Sequence, residues 1–507
     1  MQINDLTAQI AFEVERLLNY ALQKQLIISR DIIYLRNQYY SLLNIFNEVK
    51  LNHITEILEF PDTILDQLFA YIIKSPDLSE KLGDNEDLVK CNLMQYLIPR
   101  PSIVEDKFKQ IQINSSIQAA LLYFYQLSMA SNYIKVRDLN KNLHWQTQTD
   151  YGKLEITVNL AKPEKDPHEI AKLKQQTTNI SYPKCQLCIE NEGFSGHDNQ
   201  ASRYTHRLIT LSLNNQEWFF QFSPYSYYNE HAIIINKQHQ DMRINQDTFI
   251  TLFDFVDLVP DYFIGSNADL PIVGGSILNH DHFQGGKHIF PMDLAKVRQT
   301  INWQQFSKVE GQILDWPLSV IRLIGSRQDL IQLSTHILNC WRNYSDETVD
   351  ILAKTTDMHN SLTVIVRKLD SSKDQYSINL ILRNNRKTSK FSYGIFHPHI
   401  DLHHIKKENI GLIEAMGLAI LPGRLNQELK LIIDLLNKDD AIKLINNITE
   451  NNPLAKHKSW LFELKTKLIN QEINQELLEY QVGLKFLEVL NCCGVFKNDA
   501  KGHLAFK

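Results

Sequence analysis

The spacing of apolar residues changes near residue 140, and this change limits the possible folds more than any other feature of the sequence. Before it, from Ile3 to Leu18 and onward, apolar residues recur every three or four positions, which is typical of amphipathic helices. After it, residues 154–160 alternate between apolar and polar, as in a half-buried strand. We predict a helical region over residues 1–140, with a packing or oligomerisation role, followed by sheet.

The rest of the chain predicts two sheet-plus-helix units in succession. In the first, Asn214-Asn215 suits a tight hairpin turn because asparagine tolerates positive φ, and Asn245 is placed to cap a helix. The strands of the first unit are predicted at 154–160, 208–213, 218–222, 231–235 and 262–265. The second unit is predicted to have paired strands at 362–367 and 376–383, a helix-like segment at 410–421 and helices from 425 to 486. These patterns indicate an α+β fold with antiparallel sheets, compatible with duplication.

Bulk properties exclude several classes of protein. The 507-residue chain has a net charge of −5 and a pI near 6.4, whereas a general nucleic-acid binder would carry a basic face. It contains no uncharged apolar run of about 18 residues, as a membrane span needs, and no basic start with an apolar stretch, as a secretory signal needs. Six cysteines are too few for a disulfide framework. We expect a cytoplasmic protein without nucleic-acid or membrane partners.

Cys185 and Cys188 form the single C-x-x-C pair of the chain. Two thiolates at this spacing supply half of a tetrahedral zinc site, which histidines usually complete. Sequence spacing alone cannot choose among the candidate histidines, which are His197, His206, His231, His239 and His280. A redox pair is the alternative, with weak support from the preceding Pro183-Lys184.

The glycine-flanked segment 274–286 holds the strongest candidate for a reactive group. On an extended segment His280, His282 and Gln284 would face one side. A neutral imidazole can act as a nucleophile and form a covalent phosphoramidate, and the amide of Gln284 can donate hydrogen bonds to phosphoryl oxygens. Gly274 and Gly275 allow close backbone approach and offer N–H groups. Structural histidines beside a glycine-rich turn are the less favoured alternative.

A third polar segment precedes the predicted helix-like run at 410–421. Lys406, Lys407 and Asn409 could meet an anion where helix N–H groups are free. A metal site is a second option, since four histidines fall within eight positions, at His397, His399, His403 and His404. A solvated helix start is the third, and the pattern alone does not decide among them.

At these residues the sequence resembles the class II galactose-1-phosphate uridylyltransferases. The resemblance runs through nearly the whole chain, and the matching stretches are 156–167, 182–196, 222–235, 279–286, 397–425 and 493–497. It implies two histidine-triad-like half-domains, over 141–300 and 301–507, after the helical region at 1–140. It also implies exchange of UDP-glucose and galactose 1-phosphate for UDP-galactose and glucose 1-phosphate. A homodimer is one assembly that such a chain could form.

The resemblance also implies roles for individual residues. His282 would be the nucleophile and Gln284 the phosphate contact. Cys185, Cys188, His280 and His239 would bind a structural zinc, with His231 competing for the place of His239. Residues expected to bind substrate are Asn267, Gly274, Gly275, Lys407, Ile410, Gly411 and Glu414. The His397 and His399 positions do not match the iron ligands of related enzymes, so we expect no iron. We also expect no organic cofactor.

Two departures and one rival function bear on this interpretation. Asp281 and Phe283 stand where the class I branch has proline and glycine, so the backbone around His282 can differ. The rival is a nucleotide hydrolase, or another nucleotidyltransferase, of the histidine-triad superfamily. Such hydrolases carry a third histidine at the position of Gln284, and because glutamine cannot shuttle a proton, transfer to a phosphate acceptor is favoured.

Overall fold

The structure is a computed structural model that describes residues 6–47, 49, 54–160, 182–197, 200–275, 277–468 and 471–506. Residues 1–5, part of the matching stretch 156–167 and Ser276 of the glycine-flanked segment therefore lie outside the described residues. Within the described ranges, no helix is both long enough and apolar enough to cross a membrane.

The N-terminal region is helical, as its periodicity predicts. The side chain of Ser116 caps one helix by accepting a hydrogen bond from the N–H of Ala119, and apolar faces of these helices join one large core. The helices are α1 (Leu6–Gln23), α2 (Ile32–Leu42), α3 (Asp62–Lys74), α4 (Pro76–Leu82), α5 (Glu86–Met94), α6 (Pro101–Asn114), α7 (Ile117–Ala130) and α8 (Val136–Leu139). Strands β1 (Leu143–Thr149) and β2 (Gly152–Asn159) follow as an antiparallel pair.

The next five strands form one antiparallel unit with a helix between its third and fourth strands. Asn214 and Asn215, at φ 47° and 57°, make the predicted hairpin turn. Asn245 caps the helix by accepting from the N–H of Thr248. The elements are β3 (Ile209–Leu213), β4 (Gln216–Phe222), β5 (Ala232–Asn236), α9 (Gln246–Leu258), β6 (Phe263–Ser266) and β7 (His282–Gly286). In space the strands run β3-β4-β5-β7-β6.

The following five strands repeat this arrangement. The elements are β8 (Val297–Ile301), β9 (Glu310–Leu314), β10 (Val320–Gly325), α10 (Arg327–Arg342), β11 (Asn360–Asp370) and β12 (Gln375–Asn384). Their spatial order is β8-β9-β10-β12-β11, the same first-second-third-fifth-fourth order, and antiparallel pairing of β6 with β11 joins both units into a ten-stranded sheet. The predicted duplication is confirmed, but the strand predicted at 154–160 as part of the first unit is β2, which belongs to a separate three-stranded sheet.

The segment predicted as helix-like at 410–421 is instead a short helix and a strand, α11 (Leu412–Ala415) and β13 (Leu418–Pro422). Gly417 separates them at φ 101°, where a Cβ atom would lie 2.8 Å from the Pro291 side chain. This left-handed conformation favours glycine and stops the helix. Strand β13 then pairs in parallel with β2.

The predicted C-terminal helices are present and cover the second face of the large sheet. Helices α9 and α10 and the N-terminal helices share one core with residues such as Phe283 and Val364. The other core holds Phe263, Ile365 and Leu412 together with the C-terminal helices. These helices are α12 (Leu425–Leu436), α13 (Ala441–Asn446), α14 (Lys458–Lys467) and α15 (Gln475–Cys493), whereas a last short helix, α16 (Ala500–Ala505), packs against the first core through Ala505. The large sheet therefore lies between two layers.

Candidate active site

Two cysteines and two histidines meet at one end of the first unit. Cys185 Sγ lies 3.5 Å from Cys188 Sγ and 3.2 Å from His280 Nδ1. Cys188 Sγ lies 3.1 Å from His239 Nδ1, and all four ligand atoms fall within 4.8 Å of one another. Tetrahedral zinc with ordinary bond lengths gives ligand-to-ligand distances of about 3.4–3.8 Å. The donor set and its spacing fit a tetrahedral metal site.

The sheet brings the two histidines of this cluster together. His239 follows β5 and His280 precedes β7, and these strands are neighbours. The ring of His280 contacts the carbonyl oxygen of Asn236 through Nε2 at 2.8 Å. Since a carbonyl accepts, this nitrogen carries the proton, and the lone pair of Nδ1 faces the sulfurs. His206, another of the candidates, lies elsewhere, stacked on Tyr133.

His282 is the first residue of β7, two positions after the cluster residue His280. Its side chain is 8% exposed. Nδ1 lies 2.8 Å from the carbonyl oxygen of His280, so Nδ1 donates and the lone pair belongs to Nε2. Burial lowers the pKa of His282 to about 4, and the ring is neutral at pH 7. The geometry presents an imidazole whose Nε2 can act as a nucleophile.

Gln284 lies on the same face of β7 as His282, as strand alternation requires. Its Oε1 lies 3.3 Å from Nε2 of His231, the residue immediately before β5. His231 is therefore outside the metal cluster and beside the predicted phosphate contact. Sequence reasoning considered His231 as a metal ligand, and only the pairing of β5 with β7 reveals this other neighbour.

A segment of the second unit reaches the first unit at Asn267. Gly265 lies opposite Gln284, so Asn267, two residues further on, leaves β6 beside His282. Its Oδ1 accepts a hydrogen bond of 2.8 Å from the N–H of Leu412. A Cβ atom on Gly265 would lie 2.4 Å from the Leu412 side chain. The start of α11 is thus packed directly against the strand that adjoins the candidate nucleophile.

The glycines of the first unit allow a second close contact at Asn267. A Cβ atom on Gly274 would lie 2.3 Å from the carbonyl oxygen of Ala268, and one on Gly275 would lie 2.8 Å from Nδ2 of Asn267. Larger side chains would push this loop away. Asn267 therefore connects the glycine loop to α11.

Glu414 and two adjacent lysines surround the start of α11. Glu414 accepts a hydrogen bond of 2.9 Å from the N–H of Gly411, and its carboxylate lies 2.7 Å from the ammonium of Lys406. Lys406 is buried, whereas Lys407 is exposed with its ammonium 5.7 Å from the ring centre of Tyr393. The sequence pattern does not distinguish the buried lysine from its neighbour. The carbonyl of Ile410 accepts a hydrogen bond of 2.7 Å from Arg383 on β12.

The four histidines near residue 400 do not gather into a metal site. His399 stacks on Phe391, and His404 contacts His457 of the C-terminal region. The ring centres of His397 and His403 are 6.3 Å apart. Within the described part of the chain, the cluster at Cys185 is the one group with a metal-binding arrangement.

Two family models match the chain and together span most of it. The N-terminal domain of galactose-1-phosphate uridyl transferase matches residues 27–241, and the C-terminal domain matches residues 255–440. The chain belongs to the galactose-1-phosphate uridyl transferase family. The resemblance drawn from the sequence motifs is thereby confirmed, while the half-domain boundary at residue 300 stays a prediction.

Relatives in this transferase family extend the match to almost the full length. Galactose-1-phosphate uridylyltransferase of Caldanaerobacter subterraneus subsp. tengcongensis is 47% identical over 506 residues, which cover 98% of this chain and 96% of the relative. The same-named proteins of Clostridium acetobutylicum and Fusobacterium nucleatum are 45% and 43% identical, each with 98% of both chains covered. No solved structure matches the chain.

Proposed function

We propose that the protein transfers UMP from UDP-glucose to galactose 1-phosphate, giving glucose 1-phosphate and UDP-galactose. The relatives' shared name supports this reaction. The observation that carries the mechanism is His282, whose Nδ1 donates to the carbonyl of His280 and whose Nε2 makes no hydrogen bond to any described residue. A buried neutral imidazole with its lone pair on Nε2 suits a covalent transfer of UMP.

In the first step Nε2 of His282 attacks the α-phosphorus of UDP-glucose. The nitrogen–phosphorus bond forms, and the bond from phosphorus to the bridging oxygen breaks and leaves its electron pair on glucose 1-phosphate. The imidazole becomes cationic, and its Nδ1–H, already directed at the His280 carbonyl, stabilises that charge. A phosphate leaving group needs no proton, which suits Gln284 as a hydrogen-bond donor in place of an acid.

In the second step a phosphate oxygen of galactose 1-phosphate attacks the same phosphorus. The nitrogen–phosphorus bond breaks and its electron pair returns to Nε2 of His282. The amide of Gln284 donates to an α-phosphoryl oxygen in both steps. Two in-line displacements at one phosphorus predict ping-pong kinetics and net retention of configuration.

The residues around α11 are proposed to bind substrate. Gly411 and Ile410 provide backbone beside Asn267, Glu414 faces the same segment, and Lys407 supplies an exposed cation. The backbone at Gly274 and Gly275 lies against the other side of Asn267. Together they would bind the hexose phosphate and the nucleotide next to His282.

The cluster of Cys185, Cys188, His239 and His280 is proposed to hold a structural zinc ion. Bound there, zinc would fix the start of β7, because His280 lies two residues before His282. A cytoplasmic location is also proposed, because none of the six cysteines forms a disulfide and that compartment keeps cysteines reduced.

The test is incubation of the protein with UDP-glucose labelled in the α-phosphate, without acceptor. We expect one label per active site on His282, stable to base and released by acid, together with free glucose 1-phosphate. His282→Ala should take up no label. His282→Gly should regain turnover when imidazole is added, because only the attachment point is missing. Intersecting initial-rate lines, or no label on His282, would refute the mechanism.

A further inference from the structure

His231 is a buried histidine that lies outside the metal cluster. It is 3% exposed, and its ring packs against two aromatic side chains, with centre-to-centre distances of 5.4 Å to Tyr227 and 4.5 Å to Tyr228. Its polar contact is Nε2 to Oε1 of Gln284, at 3.3 Å. Nδ1 is buried without a hydrogen-bond partner among the described residues.

These contacts fix the direction of the hydrogen bond. Burial lowers the pKa of His231 to about 4, so the ring is neutral and carries one proton. With the proton on Nε2, the ring donates to Oε1 of Gln284, and Nδ1 keeps only an unpaired lone pair. With the proton on Nδ1, Nε2 could only accept from the amide nitrogen of Gln284, and the N–H at Nδ1 would be buried without an acceptor.

The aromatic neighbours hold the imidazole at this position. The hydroxyl of Tyr228 donates a hydrogen bond of 3.0 Å to the carbonyl of Gly285, the residue after Gln284. The Tyr228 ring, in contact with His231, is therefore tied to the same strand as Gln284. The imidazole and the glutamine share one rigid support.

We propose that His231 is a positioning residue that binds the carbonyl oxygen of Gln284 and thereby turns its amide nitrogen toward the phosphoryl group at His282. A free glutamine side chain could present either its oxygen or its nitrogen to the phosphate, and the oxygen would repel it. This inference rests on the proposed uridylyl transfer, and His231 acts through Gln284 without touching substrate.

The test is a double-mutant cycle on the rate of label transfer to His282 in a single turnover. His231→Phe keeps an aromatic ring beside the tyrosines and removes the donor, and should slow the step about 10-fold, the cost of losing one ordered side chain. Gln284→Ala should slow it about 10²-fold or more. The double variant should be no slower than Gln284→Ala alone, whereas a merely structural effect would multiply through both backgrounds.

Three further measurements separate the possible outcomes. His231→Gln, which retains an N–H donor, should recover part of the rate lost in His231→Phe. The matched control is His206→Phe, at another buried histidine beside a tyrosine. Its effect on the rate should be the same in the wild-type and Gln284→Ala backgrounds. Nitrogen NMR of the substrate-free protein should find the His231 proton on Nε2. If His231→Phe melts well below wild type, His231→Leu replaces it in the cycle.

A rate for His231→Phe within 2-fold of wild type, a multiplicative effect in the Gln284→Ala background, or a proton on Nδ1 would each overturn the inference and leave uridylyl transfer intact. Absence of label on wild-type His282 would instead overturn the proposed function, and this inference with it.

Discussion

Asn267 should link stability to sugar-phosphate binding, because it joins the strand beside the nucleophile to α11 of the second unit. Its side chain is 4% exposed, and its Oδ1 accepts from the N–H of Leu412 at 2.8 Å. Asn267→Ala removes this acceptor and leaves the Leu412 N–H buried without a partner. It also removes the amide that packs on Gly275.

The expected loss of stability in Asn267→Ala follows from the unpartnered N–H of Leu412. A buried donor left without a partner costs about 1–3 kcal/mol. If all of it falls on the docking of α11, the docking equilibrium weakens by a factor of about 5 to 150. The rise in KM for galactose 1-phosphate has this factor as its upper limit. Label transfer from UDP-glucose to His282 should change less, since the hydrogen bond of the His282 ring is to the carbonyl of His280 and that of Asn267 is to Leu412.

The assay combines urea unfolding with steady-state kinetics for each substrate. The matched control is Asn245→Ala, which removes an asparagine acceptor of a backbone N–H at the start of α9, a helix that packs in the other core from α11, and should cost about 1 kcal/mol. Asn267→Asp retains the oxygen acceptor and should restore most of the stability. If Asn267→Ala raises KM no more than Asn245→Ala does, Asn267 does not couple the two units.

The remaining predictions concern the metal cluster, the acceptor end and a buried carboxylate. Cys188→Ser should lose bound zinc and lower the melting temperature, with KM unchanged in the folded fraction; zinc-free wild-type protein of full activity would contradict this. Lys407→Ala should raise KM for the hexose phosphates, whereas the control Lys390→Ala, another lysine over an aromatic ring, should not. Burial alone would raise the pKa of Glu428, but its hydrogen bond from His457 contributes to lowering it from 4.5 to about 2. Glu428 thus stabilises the fold above pH 4.5, and this contribution is lost as the pH falls toward 2. Urea midpoints of Glu428→Gln should therefore fall less than those of wild type over that window.

Features that depend on neighbouring residues in the chain could be predicted from the sequence. The Asn214-Asn215 turn and the Asn245 cap are local devices, and the structure contains both. The C-x-x-C pair is local as well. The choice of His239 over His231 as its partner required the family resemblance, and in the structure His239 lies in the cysteine cluster whereas His231 does not.

Features set by distant contacts could not be predicted in this way. Residues 410–421 are apolar at helical spacing, yet Gly417 adopts a left-handed conformation against Pro291, and Leu418 begins a strand beside β2. Lys406 and Lys407 are adjacent lysines that the sequence pattern does not distinguish. In the structure Lys406 is the one that is buried, and it forms an ion pair with Glu414.

The duplicated sheet explains how both units contribute residues to the candidate site. Cross-strand partners share a face, and the register aligns Gln284, Gly265, Ile365 and Asn379 on the face that carries His282. The fifth strand of the second unit presents Ile381 and Arg383 at alternate positions of that face, and neither is a nucleophile at neutral pH. Arg383 donates to the carbonyl of Ile410.

The second unit thus supports the segment that docks on Asn267 of the first. One copy of the fold carries the candidate nucleophile, and the other holds the candidate substrate-binding segment against it. A substitution in β12 should therefore change substrate affinity without changing the chemistry at His282.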